Sequence, residues 1–320
     1  MTVEHKIIDC TIRDGGLVND WDFTTEFVSE LYTALNTAGV EYMEIGYKNS
    51  PKLLKGDAGP WRFLDDHFLK TVVTNKDFTK LSALVDIGRV DEDDILPRED
   101  SLLDMVRVAC YVADAGKGID LAKKFNEHGY ETSINIMALS HVLEKDLVEA
   151  LKEINKSPID VVYIVDSFGS ITPNNMGYLV SLFRKYIPEK TLGVHTHNNM
   201  QLALANTLEA ANHGVSFLDS SVYGMGRAAG NCHTELLVAS LKDKRYEMRP
   251  ILDIIERHMI KIRENWEWGY NIPYALAGIL NEHPRIAMAL RNSADRDKYV
   301  DFYDKLTSPE SQPTAAAIKG

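Results

Sequence analysis

The chain has 320 residues, 45% of them hydrophobic, enough to bury one large core or two modest ones. Thirty-five Lys and Arg stand against 47 Asp and Glu, a formal charge of −12 with no basic stripe, so a phosphate backbone or an anionic membrane surface would be repelled and nucleic-acid binding is not expected. No apolar run approaches the ~20 residues that span a bilayer, and Met1-Thr2-Val3-Glu4-His5-Lys6 lacks the apolar core of a secretion signal, so a cytoplasmic protein without a membrane partner is expected.

The first apolar run, residues 6–10, reads as a strand and leads into Asp9-Cys10-Thr11-Ile12-Arg13-Asp14-Gly15-Gly16. Asp-Gly-Gly alone is ordinary turn chemistry, since Gly supplies positive φ and Asp bonds its own backbone. What sets this segment apart is the Arg beside the Asp and the answering His195-Thr196-His197-Asn198-Asn199 far downstream. Further runs follow at 42–46, 81–86, 105–112, 133–138, 161–165, 192–194 and 217–221. They alternate with amphipathic stretches such as 26–38, 119–128, 144–154, 176–185 and 202–213. The acidic stretch Asp91-Glu92-Asp93-Asp94 reads as a solvated loop and helix start.

Eight strands in βα alternation predict a closed (β/α)8 TIM barrel over residues 1–245; the competing open doubly wound sheet would not bring the first and seventh strands together. Barrel active sites form at the carboxyl ends of the strands. There stand Arg13 and Asp14, Glu44, Asp86, Asp166 and Ser167, His195 and His197, and Asp219. Alternate residues of a strand share a face, so His195 and His197 can turn both rings to one point, with Asp14 arriving from the first strand. Two imidazoles and a carboxylate hold a divalent ion and leave open positions, as a catalytic metal needs.

After residue 245 the pattern is all-helical (251–263, 273–282, 284–291 and 297–306), a C-terminal helical extension over 246–306. Residues 307–320 lack periodicity and are expected to form a flexible tail. Cys10, Cys110 and Cys232 are odd in number and lack paired spacing, so neither a disulfide framework nor a zinc knuckle is expected. The first two read as inert core residues. Cys232 adjoins a glycine-rich segment.

Three blocks, Asp9-Cys10-Thr11-Ile12-Arg13-Asp14-Gly15, His195-Thr196-His197-Asn198 and Gly224-Met225-Gly226-Arg227-Ala228-Ala229-Gly230-Asn231, together resemble the DRE-TIM metallolyase superfamily over about the first 240 residues. That superfamily includes 4-hydroxy-2-oxovalerate aldolase, hydroxymethylglutaryl-CoA lyase, and the isopropylmalate and homocitrate synthases. The resemblance is strongest to proteins of the 4-hydroxy-2-oxovalerate aldolase type. It implies carbon-carbon bond cleavage or formation in a small 4-hydroxy-2-oxo acid through a metal-stabilised pyruvate-type enolate. It implies Asp14, His195 and His197 as metal ligands with Asn231 completing or supporting the shell, Arg13 facing the oxo group, and Asp166-Ser167 matching the pair whose Ser holds a substrate carboxylate. Glu44 is then a polar contact that orients Arg13, or a buried structural partner of it. The metal is Mn first on family grounds, with Mg, Co, Zn or Fe as alternatives. A small 2-oxo acid is the partner implied; a homodimer and an aldehyde dehydrogenase partner are conceivable.

The sequence also departs from its relatives. Leu17 stands where the aldolases carry a His as general base, the lyase's Gly-Cys-Pro motif does not precede Gly224, and Gly15-Gly16-Leu17 replaces the Gly-Glu-Gln of the isopropylmalate synthases. His233, His67, Tyr223, Tyr274 and Cys232 are the candidates for the missing base. His233 directly follows the loop of Asn231, at an expected helix start. Tyr274 begins a post-barrel helix where the aldolases keep a catalytic Tyr. An acyl-CoA/2-oxo acid Claisen condensing enzyme and a catalytically weak scaffold are the rival readings.

Overall fold

The computed structural model describes residues 4–308. Eight strands, β1 (Lys6–Asp9), β2 (Tyr42–Tyr47), β3 (Lys80–Asp86), β4 (Leu103–Cys110), β5 (Glu131–Ile136), β6 (Val161–Asp166), β7 (Thr191–Thr196) and β8 (Phe217–Ser220), close into a barrel in chain order. Every neighbouring pair is parallel, and β8 returns to β1 with Lys6 opposite Phe217 and Asp9 opposite Ser220. That closure excludes the open sheet. The strands are buried on both faces, which is why they read as near-continuous apolar runs.

The helices of the barrel are α1 (Thr11–Asn19), α2 (Thr25–Thr37), α3 (Asp66–Val72), α4 (Ala115–Glu127), α5 (Glu144–Asn155), α6 (Pro173–Tyr186), α7 (Ala203–Asn212) and α8 (Thr234–Leu241). Their inner faces follow helical spacing: α5 buries Leu147, Ala150, Leu151 and Ile154. Each large aliphatic side chain so buried stabilises by about 1.5–3 kcal/mol. Between β3 and β4 the described residues form only two 3-10 turns, Glu92–Asp94 and Arg98–Asp100, so the acidic stretch is a loop that starts a single 3-10 turn and no longer helix. Lys52 pairs there with Asp91 and Asp94 at 2.7 and 2.9 Å.

Two strands are displaced from the expected bounds. β4 and β5 begin two residues earlier than 105 and 133, because Asp104 and Glu131 find polar partners at the strand starts, Asp104 reaching Lys76 at 2.5 Å and Glu131 accepting from the Tyr42 hydroxyl at 2.6 Å. β5 ends before Ala138, whose φ of 56° cannot continue a strand.

Inside the barrel Ile8, Tyr42, Met105, Tyr163 and Phe217 form a compact core below the mouth. Tyr163 packs across β7 at Gly193, where a Cβ would stand 2.4 Å from the ring. Beyond β8, α9 (Met248–Ile254) runs through a π turn at Ile255–Met259 into α10 (Ile260–Asn265), the single helix expected there. α11 (Ile272–Ile279), α12 (Pro284–Arg291) and α13 (Tyr299–Thr307) follow. Tyr274, Ala277, Ala287 and Phe302 from these three helices pack on Ala228 and Ala229 of the glycine-rich segment. Of the expected tail, Thr307 closes α13 and residues 309–320 lie outside the described residues. No helix among the described residues is long and apolar enough to cross a membrane.

Candidate active site and metal centre

β1 delivers Arg13 and Asp14 to the carboxyl end of the barrel on the first turn of α1, so the Asp-Gly-Gly segment is helical rather than a turn. Its glycines serve close packing: a Cβ on Gly16 would lie 2.0 Å from the Trp21 indole. The Trp21 ring N–H donates to the Arg13 carbonyl at 3.0 Å and ties this helix down. β7 carries His195 within the strand and His197 just beyond it, their rings 5.0 Å apart and nearly perpendicular.

The ligand atoms of Asp14, His195 and His197 all lie within 4.8 Å of one another, and all three residues are buried. The Asp14 carboxyl would be raised by burial, but the Arg13 guanidinium beside it holds it well below the usual carboxylate range. Burial pushes His197 down to about 3, so its imidazole is neutral and free to ligate near pH 7. His195 Nδ1 bonds Asp219 Oδ2 at 2.9 Å, which places the ring proton on Nδ1 because the Asp219 carboxylate accepts it; burial would raise that carboxylate, yet Arg107 and His195 keep it low. His195 Nε2 is left as a buried lone pair without a partner.

Asn231 donates Nδ2–H to Asp14 Oδ2 at 2.8 Å, while its Oδ1 is buried without a partner. A backbone pairing with His197 holds the residue in place. Gly226 makes room for the contact, since a Cβ there would stand 2.4 Å from Asn231 Nδ2 and 2.6 Å from Asp14 Oδ2. A carboxylate, two neutral imidazoles and an amide oxygen, two of them with orphaned lone pairs, fit a divalent ion. A second cluster, Cys10, His195 and Asp219, fits less well: Arg107 already lies 2.6 Å from Asp219, and burial pushes the Cys10 thiol far up.

The ligands stand on a buried ionic network. Arg13 pairs with Asp14 and with Glu44, each at 2.6 Å, and Arg107 pairs with Glu44 at 3.1 Å and with Asp219 at 2.6 Å. Glu44 is fully buried between the two guanidinium groups and accepts from Arg13 Nε at 2.6 Å. Arg107 was not singled out from the sequence, although an Arg inside an apolar strand is a signal that a buried anion awaits it. Tyr47, turned by the bulge at the end of β2, and Arg227 were also passed over; Arg13, Asp86 and Asp14 are among the groups whose charge acts on the Tyr47 hydroxyl.

Asp166 and Ser167 end β6. Asp166 accepts backbone N–H groups from Ser170 and Ile171 at 3.0 and 3.4 Å, so it shapes the loop; burial pushes its carboxyl up to about 7. The Ser167 hydroxyl oxygen accepts the Ala138 N–H at 2.9 Å and keeps its own hydrogen to donate.

The residues considered for the missing base have contacts of their own. His233 precedes α8 and packs against Gly224, its pKa lowered by burial and by Arg263. The Tyr274 hydroxyl accepts from Arg291 at 2.7 Å. Tyr223 meets the Trp268 ring edge to face, and His67 lines a cavity of about 670 Å³ beside Lys48, Asp66 and Asp91. Cys232 is buried and pushed up to about 12; all three cysteines are free.

Comparison with known proteins shows the family. Residues 103–261 match the HMGL-like family model. The 4-hydroxy-2-oxovalerate aldolase of Carboxydothermus hydrogenoformans (strain ATCC BAA-161 / DSM 6008 / Z-2901) is 31% identical over 264 residues, 80% of this chain and 77% of that one. The chain belongs to the DRE-TIM, HMGL-like family. Within that family, an oxaloacetate decarboxylase of Mycobacterium tuberculosis (strain ATCC 25618 / H37Rv) is 29% identical over 80% of this chain and 76% of its own length. Among solved structures, the N-terminal domain of a candidate aldolase from Bacteroides vulgatus superposes with a TM-score of 0.78 at 32% identity, over 90% of this chain and 97% of that one. HMG-CoA lyase from Brucella melitensis shares the fold, with a TM-score of 0.66 at 18% identity over 82% of this chain and 99% of that one.

Proposed function

We propose that this family member, a divalent-metal-dependent carbon-carbon lyase, cleaves a small 4-hydroxy-2-oxo acid to pyruvate and an aldehyde, or runs that reaction in reverse. The observation that carries the reading is Asp14, His195 and His197 grouped beside Arg13, whose guanidinium is fixed by Glu44. The ligand set proposed is those three with Asn231, and Mn is the metal proposed, ahead of Mg, Co, Zn or Fe. When bound, the ion supplies Lewis-acid stabilisation of charge developing on the substrate's oxo oxygen.

The protein's own groups supply orientation and electrostatics. Arg13 donates to the oxo oxygen, and because Glu44 and Asp14 hold it rigidly, little reorganisation accompanies the reaction. The bond between C3 and C4 breaks, its electron pair moves toward C3 and the oxo oxygen, and the 4-hydroxyl loses its proton as the aldehyde forms. A proton then returns to C3. The decarboxylation named for the mycobacterial relative likewise breaks a bond to that carbon and leaves the same pyruvate enolate. Lyase names among the relatives favour this reading over an acyl-CoA condensing enzyme or an inert scaffold.

A cytoplasmic setting belongs to the proposal. So does a homodimer formed through the C-terminal helices, where Tyr270, Ile279 and Val300 are exposed. An aldehyde dehydrogenase is the partner chemistry suited to removing the product. The test is pyruvate release, followed with lactate dehydrogenase, from 4-hydroxy-2-oxopentanoate and longer homologues with added Mn. Metal-dependent release that is lost in Asp14→Asn is expected. Release of free thiol from acyl-CoA with a 2-oxo acid, and none from the hydroxy-oxo acids, would overturn the reading.

A further inference from the structure

The inference rests on the 2-oxo acid reading above and concerns the group that takes the acid. Three guanidinium groups face or underlie the mouth, and two are compensated: Arg13 by Asp14 and Glu44, Arg107 by Glu44 and Asp219. Arg227 differs. No carboxylate among the described residues forms an ion pair with its guanidinium, and its Nε is buried without a hydrogen-bond partner.

The position of Arg227 is fixed at both ends. Its backbone N–H lies 3.4 Å from Asp14 Oδ2, and one of its terminal nitrogens donates to the Ser167 carbonyl at 3.0 Å. The side chain therefore runs from the segment after β8 to the loop after β6, and β7, which carries His195 and His197, lies between those strands. Asp14, Tyr47, Arg13 and Arg285 are the groups whose charges act on it. The flanking small residues Gly226, Ala228 and Ala229 leave Arg227 as the one long side chain of that turn.

A 2-oxo acid presents a carboxylate and a neutral oxo oxygen. A guanidinium compensated by two carboxylates still donates to a neutral oxygen but draws a further anion weakly, whereas an uncompensated one in a low-dielectric mouth draws it strongly. We propose that Arg227 binds the substrate carboxylate, with the Ser167 hydroxyl as second donor, and that Arg13 is thereby left to the oxo oxygen. This gives the two guanidinium groups separate tasks and makes a free acid, rather than an ester or amide, the substrate class.

The test is calorimetric titration of the full, Mn-loaded chain with pyruvate and with pyruvamide, the neutral analogue. Wild type should bind pyruvate tighter on the order of 10- to 100-fold, the worth of a charge-assisted hydrogen-bond pair. Arg227→Gln should lose that preference, chiefly by weakening pyruvate, while its melting temperature stays that of wild type. Arg227→Lys, which keeps the charge without the fork, should fall between. A purely structural role would weaken both ligands alike. If the Gln variant does not fold, Arg227→Met, which keeps the stem, serves in its place. An acid preference that persists in the neutral variant overturns the assignment to Arg227 and leaves the lyase reading standing. A wild type that does not prefer the acid overturns both.

Discussion

His195 can serve as a ligand through Nε2 because Asp219 holds the proton on Nδ1, and Asp219 is in turn held by Arg107. Asp219→Asn should therefore weaken metal binding by about 10- to 100-fold, as loss of an orienting partner does, and should also lower the melting temperature of the metal-free protein, because the buried Arg107 keeps only Glu44 as a charged partner; unaltered affinity by calorimetry would count against the assigned tautomer. His197 carries a second expectation. Burial lowers its pKa from 6.5 to about 3, so between those values the unfolded chain binds the proton that the folded protein refuses. In the metal-free protein this stability is present above pH 6.5 and lost on acidification, with a slope of up to about 1.4 kcal/mol per pH unit. Urea unfolding from pH 7 to pH 4 should show the loss, and His197→Gln should flatten it. At this scale the His-x-His pair was legible because strand periodicity alone aligns the two rings. Arg107 was not, since its role depends on partners from β2 and β8 that no local pattern announces.

The elements themselves were largely legible. All eight strands appear where apolar runs stood, because strands buried on both faces are mostly apolar and the charged exceptions, Glu44 in β2 and Arg107 in β4, answer each other inside the barrel. What local chemistry concealed was α1: two glycines after an Asp look like a turn, and the close approach of Met225 to Gly15 and of Trp21 to Gly16 explains their presence in a helix. The acidic stretch, expected as a solvated loop and helix start, goes no further than the single 3-10 turn Glu92–Asp94, because four successive acidic residues offer no apolar face to bury. α2 illustrates a local signal that held. Thr24 caps it by accepting the Phe27 N–H at 3.2 Å, and Thr24→Ala should cost about 1 kcal/mol in chemical denaturation without affecting metal affinity.

Across the whole molecule, barrel closure is what turns residues more than 200 positions apart into one site: Asn231 reaches Asp14 because β8 pairs with β1. The C-terminal helices then cover the glycine-rich segment that carries Arg227 and Asn231, through Tyr274, Ala277 and Phe302. Dividing the chain into a barrel over 1–245 and an extension over 246–306 is thus a proposal with a consequence. A chain ending at residue 245 should lose stability as well as metal affinity, because Ile251, Ile254 and Met259 leave the barrel's core and Ala228 and Ala229 lose their cover; undiminished affinity would make the extension independent of the site. The covering role was not legible, since helix periodicity shows that a face is apolar but not what it meets. The central claim is that this site generates a pyruvate enolate with a bound divalent metal, and proton-deuterium exchange at the methyl group of pyruvate, followed by NMR, tests it most directly. Exchange that appears when Mn is added to metal-stripped protein and disappears in His195→Ala is the predicted result; no exchange with any divalent metal, in protein shown to bind that metal, would contradict it.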